Sequence, residues 1–154
     1  YLAGDAACLG DVIHHAVQQL DGPAPEVVVI LLPTHPFRTT ELMRHLTAQA
    51  QAGYGRVSTV TPIPVHAASH LVMDRHGRLA SIFEDHFPPE AVDKVSLHRH
   101  YGLFHAYAEA CPKSRIYNFE ITDPVELIDI DTAEDLELAR LVVAEDLFPV
   151  ERLQ

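Results

Sequence analysis

Cysteine is scarce in this chain: only Cys8 and Cys111 occur, far apart and at neither a zinc-ligand nor a redox spacing. Such usage fits free thiols in a reducing cytoplasm and speaks against a disulfide framework. Basic residues are also few, 11 Lys and Arg against 22 Asp and Glu, giving a formal charge of -11 with eleven histidines counted as neutral. That balance excludes a protein that coats a nucleic-acid backbone, which needs a cationic surface. A single bound nucleotide stays compatible, because a metal and a few arginines can offset its charge locally. Long apolar runs are missing too: the longest, 27–32, has six residues, against roughly 20 for a membrane-crossing helix. No signal-peptide pattern is visible. The chain starts at Tyr1 without methionine and enters a patterned segment almost at once, which leads us to expect further sequence upstream.

Across 154 residues, 47% hydrophobic content suffices for one domain with a core. In 11–20, DVIHHAVQQL, the residues Val12, Ile13, Ala16, Val17 and Leu20 recur at helical spacing, with Asp11 placed to cap the start. Gly22-Pro23 breaks that helix. VVVILL at 27–32 then has the β-branched continuity of a parallel strand buried on both faces. Thr39 or Thr40 opens a second helix through about Gln51, with Leu42, Met43, Leu46 and Ala50 near its period. RVSTVTPI at 56–63 alternates as a strand. The segments 71–73 and 79–83 flank Asp74-Arg75-His76-Gly77, a hairpin tip, so an excursion leaves the main sheet. Within 87–112, Pro88-Pro89-Glu90 fits a short helix start and 101–107 fits strand or helix. RIYNFEI at 115–121 reads as a strand, Asp123-Pro124 as a turn, and 127–130 as a short final strand. A final helix over 132–147 would bury Leu136, Ala139, Leu141, Val142 and Val143. Helices alternating with apolar strands make an α/β sandwich.

Two places could carry chemistry. In a strand, residues i and i+2 share a face roughly 6.5 to 7 Å apart, so Asp129 and Asp131 could both turn toward a ligand at the strand's carboxyl end. Paired carboxylates there suit Mg²⁺, which takes one or two of them plus water and substrate phosphates. On spacing alone a blander account is favoured: Thr132-Ala133-Glu134-Asp135 has capping-box spacing, and acidic residues are common at a helix start. The second place, LPTHPFRT at 32–39, hands a buried strand over to a helix. It could offer the Thr34 hydroxyl, backbone N–H groups and the Arg38 fork to a phosphate or carboxylate. Its alternative is a proline-stiffened turn with Arg38 paired to a structural carboxylate. The histidines His14-His15, His66 with His70, and His98 with His100 lack the partners of a zinc site. No serine or cysteine lies in a nucleophile motif.

Taken together and in this order, four segments resemble the acylneuraminate cytidylyltransferases, which make CMP-activated sialic acids and related acidic sugars, and more distantly the 3-deoxy-manno-octulosonate cytidylyltransferases. YLAGDAACLGDVIHHAVQQL resembles the family's L-A-x-D-x-A stretch and following helix; VVVILLPTHPFRTTELMRHL its strand and L-Q-P-T-S-P-L-R turn; RVSTVTPI its next strand; and LIDIDTAEDLELARLVV its closing D-I-D segment and helix. The resemblance covers about the C-terminal two thirds of the family domain. It implies a Rossmann-like nucleotidyltransferase sheet with helices on both faces, in one domain over 1–154, with 64–112 as an excursion that dimerises and helps close the sugar pocket. The family's N-terminal strand and glycine- and lysine-rich nucleotide loop, of the type A-R-G-G-S-K, have no counterpart in these residues. By resemblance, Asp129 and Asp131 hold Mg²⁺ and are catalytic, while Thr34, Arg38 and Gly102 contact substrate, Gly102 lying in Tyr101-Gly102-Leu103-Phe104, the counterpart of N-G-x-x-Y. The implied partners are CTP, an acidic sugar and a second copy of the chain, in the cytoplasm. Leu32 and His35 stand where the family has glutamine and serine. The implied reaction is CMP transfer to the sugar, weak or absent in this chain alone; the alternative is a non-catalytic relative that binds a sugar or protein partner as a dimer. A haloacid-dehalogenase-type phosphatase, with Asp129-x-Asp131 as its nucleophile motif, ranks last because Ala133 stands where threonine or valine is wanted.

Overall fold

The computed structural model describes residues 8–63, 71–81, 96–108 and 110–149. In chain order its elements are α1 (Leu9–Gln18), β1 (Val27–Ile30), α2 (Thr40–Gln51), β2 (Arg56–Pro62), β3 (Leu71–Met73), β4 (Leu79–Ser81), β5 (His98–Ala108), β6 (Ile116–Glu120) and α3 (Ala133–Ala144). Four strands form one mixed sheet in the order β1-β5-β2-β6. β5 runs antiparallel to both β1 and β2, and β6 runs parallel to β2. The architecture is α/β with an open sheet. Among the described residues no helix is long and apolar enough to cross a membrane.

α2 forms where its apolar residues recur at helical spacing and where Thr39 caps the start, its hydroxyl accepting from the Leu42 N–H at 3.2 Å. Leu42, Leu46 and Ala50 face the sheet and bury against Val57 of β2 and Tyr101, Leu103, Phe104 and Ala106 of β5, with Ile121 closing the cluster. Each large side chain fully buried there contributes roughly 1.5–3 kcal/mol. A second cluster joins Phe37, Ile128, Ala139, Val142 and Phe148, seating α3 against the loop that follows β1.

Several expectations need correction. The 27–32 run is not a parallel strand buried on both faces: β1 stops at Ile30, pairs antiparallel with β5, and leaves Val29 and Leu31 exposed. β5 lies between β1 and β2 and takes the place a parallel neighbour would have had. The ambiguous 101–107 segment is the middle of β5, so that part of 64–112 belongs to the main sheet. The first helix begins at Leu9, with Cys8 at its N-cap making no side-chain cap bond and Asp11 inside the first turn. The 127–130 segment is not a strand. A turn built on Asp123 precedes it, the Val125 N–H reaching the Asp123 carboxylate at 2.8 Å and the Leu127 N–H its carbonyl at 3.1 Å.

α3 ends at Ala144 and buries only Ala139 and Val142, while Leu136, Leu141 and Val143 stay exposed. Leu136 and Val143 line an open cleft of about 500 Å³ with Pro36, Phe37, Ile130 and Phe148. The hairpin of β3 and β4 forms as expected, with Gly77 at φ 76° in its turn and the Asp74 N–H bonded to the Arg78 carbonyl at 2.9 Å. The remainder of the proposed excursion, 64–70, 82–95 and residue 109, lies outside the described residues, and so does the short helix start at Pro88-Pro89-Glu90.

One irregularity shapes what lies at the end of the sheet. Ser58 pairs with His105 but Thr59 pairs with Tyr101, so Gly102, Leu103 and Phe104 bulge out of the β2–β5 ladder. The buried Thr59 hydroxyl replaces the missing ladder bonds, donating to the Tyr101 carbonyl at 2.6 Å and accepting from the Phe104 N–H at 3.1 Å. The bulge carries Gly102 toward the loop after β1.

Candidate functional site

Two limbs meet at the sheet's end. The first is the loop after β1, where Pro33 and Pro36 bracket Thr34 and His35, and the His35 N–H turns back to the Leu32 carbonyl at 3.3 Å. The second is the extended segment before α3. The Ile130 N–H donates to the Thr34 carbonyl at 2.8 Å and joins the limbs, so Asp129 and Asp131 flank the joint. α3 then begins in a complete capping box. The Thr132 hydroxyl accepts from the Asp135 N–H, and the Asp135 carboxylate receives the N–H groups of Thr132 at 2.9 Å and Asp131 at 3.2 Å. The bland account of this acidic stretch is therefore correct as far as Thr132 and Asp135 go. It leaves Asp129 and Asp131 unexplained, because neither carboxylate caps the helix.

His35 is the hub of the cluster. It is 2% exposed, its ring meets the Tyr101 ring edge-on with centroids 4.8 Å apart, and its Nδ1 lies 3.1 Å from Thr34 Oγ1 and 3.4 Å from Asp129 Oδ1. Gly102 makes room for it: a Cβ there would sit 2.7 Å from Leu32 Cδ1 and 2.9 Å from His35 Cε1. Among the described residues, four buried side-chain polar atoms lack a hydrogen-bond partner, and three of them, His35 Nε2, Tyr101 OH and Asp129 Oδ1, belong to this cluster. Burial pushes the His35 pKa below the ordinary histidine value, outweighing the opposite pull of Asp129, so the ring is neutral at pH 7. Burial, with Asp129 adding to it, pushes the Tyr101 phenol up to about 12. The site thus sets two neutral rings against two carboxylates.

Of the residues singled out in the sequence, Thr34, Gly102 and Asp129 come together around His35. Asp131 is exposed beside them and acts electrostatically on both His35 and Tyr101. Arg38 Nε donates to the Leu103 carbonyl at 2.9 Å and its NH2 to the Leu32 carbonyl, so it holds the bulge to the loop; among the described residues it forms no ion pair with a carboxylate. His35 and Tyr101 were missed as site residues. The available signal was a histidine between two prolines at the end of an apolar run, facing a glycine whose partner only the fold reveals.

The donor set suits Mg²⁺. The Asp129 side chain is 36% exposed although its Oδ1 is covered, and Asp131 offers an exposed carboxylate one residue beyond Ile130. Among the described residues no group of three or more His, Cys, Asp or Glu could hold a metal ion by itself. Mg²⁺ bound with a nucleotide needs no such group, because phosphates and water fill its other positions.

No protein-family model matches the chain. No curated protein matches it by sequence. Solved structures do. CMP:2-keto-3-deoxy-manno-octonic acid synthetase complexed with CTP superposes at a TM-score of 0.56 and 14% identity, over 89% of this chain and 68% of that one. The 4-diphosphocytidyl-2C-methyl-D-erythritol synthase of Anaerococcus prevotii superposes at 0.51 and 17% identity, over 85% and 64%. The chain therefore spans about two thirds of the length of each. Both neighbours are cytidylyltransferases, whereas the narrower likeness to the acylneuraminate enzymes rests on the motifs alone. This chain has a Rossmann-like nucleotidyltransferase fold, the fold of those two enzymes.

Proposed function

We propose that the chain is the metal- and sugar-side part of a cytidylyltransferase that transfers CMP from CTP to an acidic sugar of the nonulosonic or octulosonic type, acting as a homodimer in the cytoplasm. The observation that carries this reading is the joint between Thr34 and Ile130, which brings the Asp129–Asp131 pair to the end of the sheet beside the loop after β1. That is where open α/β sheets bind ligands. The fold likeness to a CMP:2-keto-3-deoxy-manno-octonic acid synthetase complexed with CTP supports it.

In this reading Asp129 and Asp131 hold Mg²⁺, which when bound neutralises charge on the triphosphate and helps align it. The chain's own residues supply a rigid, partly dry floor. Neutral His35 and Tyr101 add no charge of their own, so the local field is set by the two carboxylates against the guanidinium groups of Arg38 and Arg99. Arg38 fixes the bulge carrying Gly102 against the loop, which keeps the substrate wall in place. Thr34 presents its hydroxyl beside Asp129, placed to bind a phosphate or sugar oxygen. The sequence holds no glycine- and lysine-rich phosphate loop, so transfer by these residues alone is weak, and a chain that also carries such a loop transfers faster.

Calorimetry tests the reading. The extended chain should bind CTP in a Mg²⁺-dependent way and release pyrophosphate when a nonulosonic or octulosonic acid is added. Binding of neither CTP nor any such acid, with or without Mg²⁺, would sink it.

A further inference from the structure

The two nitrogens of His35 occupy unlike surroundings. Nε2 is buried, has no hydrogen-bond partner, and lies against Gly102, 3.3 Å from where a Cβ would stand. A proton there would be a buried donor without an acceptor, which is the costlier kind of unpaired group. Nδ1 faces two oxygens, Thr34 Oγ1 at 3.1 Å and Asp129 Oδ1 at 3.4 Å, one of them on a carboxylate. The nitrogen that faces acceptors, Nδ1, is therefore the one that carries a proton, directed at the Thr34–Asp129 side.

Asp129 is divided in the same way. Its Oδ1 is covered, yet the side chain as a whole is 36% exposed, so the exposure falls on the Oδ2 side. One oxygen is turned inward to the imidazole and the other outward.

We propose that His35 is a positioning residue for Asp129: its Nδ1–H draws Oδ1 inward by electrostatic attraction across 3.4 Å, and this turns Oδ2 outward as the oxygen that takes a divalent cation. The proposal rests on Asp129 and Asp131 being the metal-holding pair. The absent Cβ of Gly102 leaves room for the imidazole, the Tyr101 ring meets it edge-on, and Thr34 Oγ1 steadies Nδ1. A ring held in this way can keep a carboxylate ligand in one orientation, the way outer partners of metal ligands act elsewhere. This gives a reason for histidine where the family resemblance places serine.

The test is titration of the 154-residue chain with Mn²⁺ alone, free Mn²⁺ being read by its electron paramagnetic resonance signal. His35→Asn keeps a donor near the position of Nδ1, whereas His35→Gln moves it toward that of Nε2. Expected is a Mn²⁺ affinity within about twofold of the parent for H35N and weaker by about tenfold for H35Q. Gly102→Ala, which pushes on the imidazole and changes no donor, should weaken binding as H35Q does, and it decides the matter if H35Q fails to fold by circular dichroism. Parent-like affinity in both H35Q and G102A overturns the positioning role, and so does a parent that binds no Mn²⁺ at millimolar concentration. The outcomes separate this proposal from the proposed function. Unchanged Mn²⁺ binding in H35Q beside intact CMP transfer removes only the role of His35. A His35-dependent Mn²⁺ site in a chain that never transfers CMP, even when extended, supports the role and removes the transferase.

Discussion

The Ile130 N–H donates to the Thr34 carbonyl at 2.8 Å, and this bond holds the loop after β1 to the segment before α3. Asp129 and Asp131 stand on either side of it, so the position of each carboxylate depends on the loop as well as on the helix. Ile130→Pro removes the donor. It should cost about 1–3 kcal/mol in a urea unfolding titration, since the Thr34 carbonyl loses its partner. It should also weaken Mg²⁺-dependent CTP binding by an extended chain. Unaltered CTP binding in a folded I130P variant would mean that the joint does not place the carboxylates.

The capping box makes a separate prediction for α3. Thr132→Ala deletes the hydroxyl that accepts from the Asp135 N–H and donates to the Asp135 carboxylate. The loss should be about 1 kcal/mol, within the range for N-cap replacements. Thr132→Ser, which keeps the oxygen, should recover most of it in the same thermal melts.

A pH dependence follows from His105 in β5. Burial first, and then the charges of His100, Arg56 and His35, lower its pKa below the ordinary 6.5. The unfolded chain therefore binds more protons than the folded one between 6.5 and the folded-state pKa. Stability from this residue is complete above pH 6.5 and is lost as the pH falls through that window. Thermal midpoints measured from pH 7.5 down to 5 should fall less steeply in His105→Gln than in the parent. Parallel slopes would show that the ring titrates no differently in the two states.

Three of the main-sheet strands and the helices were legible: β2 and β6 carry their own alternation, β1 its apolar run, and α2 and α3 their caps. Strand direction and neighbourhood were not legible. VVVILL gave no sign that β5 would fold back beside it, since a β-branched run suits an antiparallel neighbour as well as a parallel one. Nor did YGLF betray a bulge, whose backbone groups are satisfied by the hydroxyl of Thr59, more than forty positions away. The face of α3 was overestimated for a related reason: helical spacing says which residues share a side, and only packing decides how much of that side is covered. At the site, Asp129, Thr34 and Gly102 were visible as residues. His35 was not visible as their centre, because a buried neutral histidine is made by tertiary contacts that leave no local pattern.

The central claim is that Asp129 and Asp131 serve CMP transfer. It is tested most directly by following CTP, Mg²⁺ and a nonulosonic or octulosonic acid by phosphorus NMR, with an N-terminally extended chain and with the same chain carrying Asp131→Asn. The account predicts a new phosphodiester signal together with pyrophosphate, formed at a rate at least about a hundredfold lower in D131N, as expected when a few kcal/mol of metal-borne charge stabilisation is lost. A CMP-sugar signal that grows equally fast in D131N, or CTP left intact by the extended chain with every such acid, would contradict it.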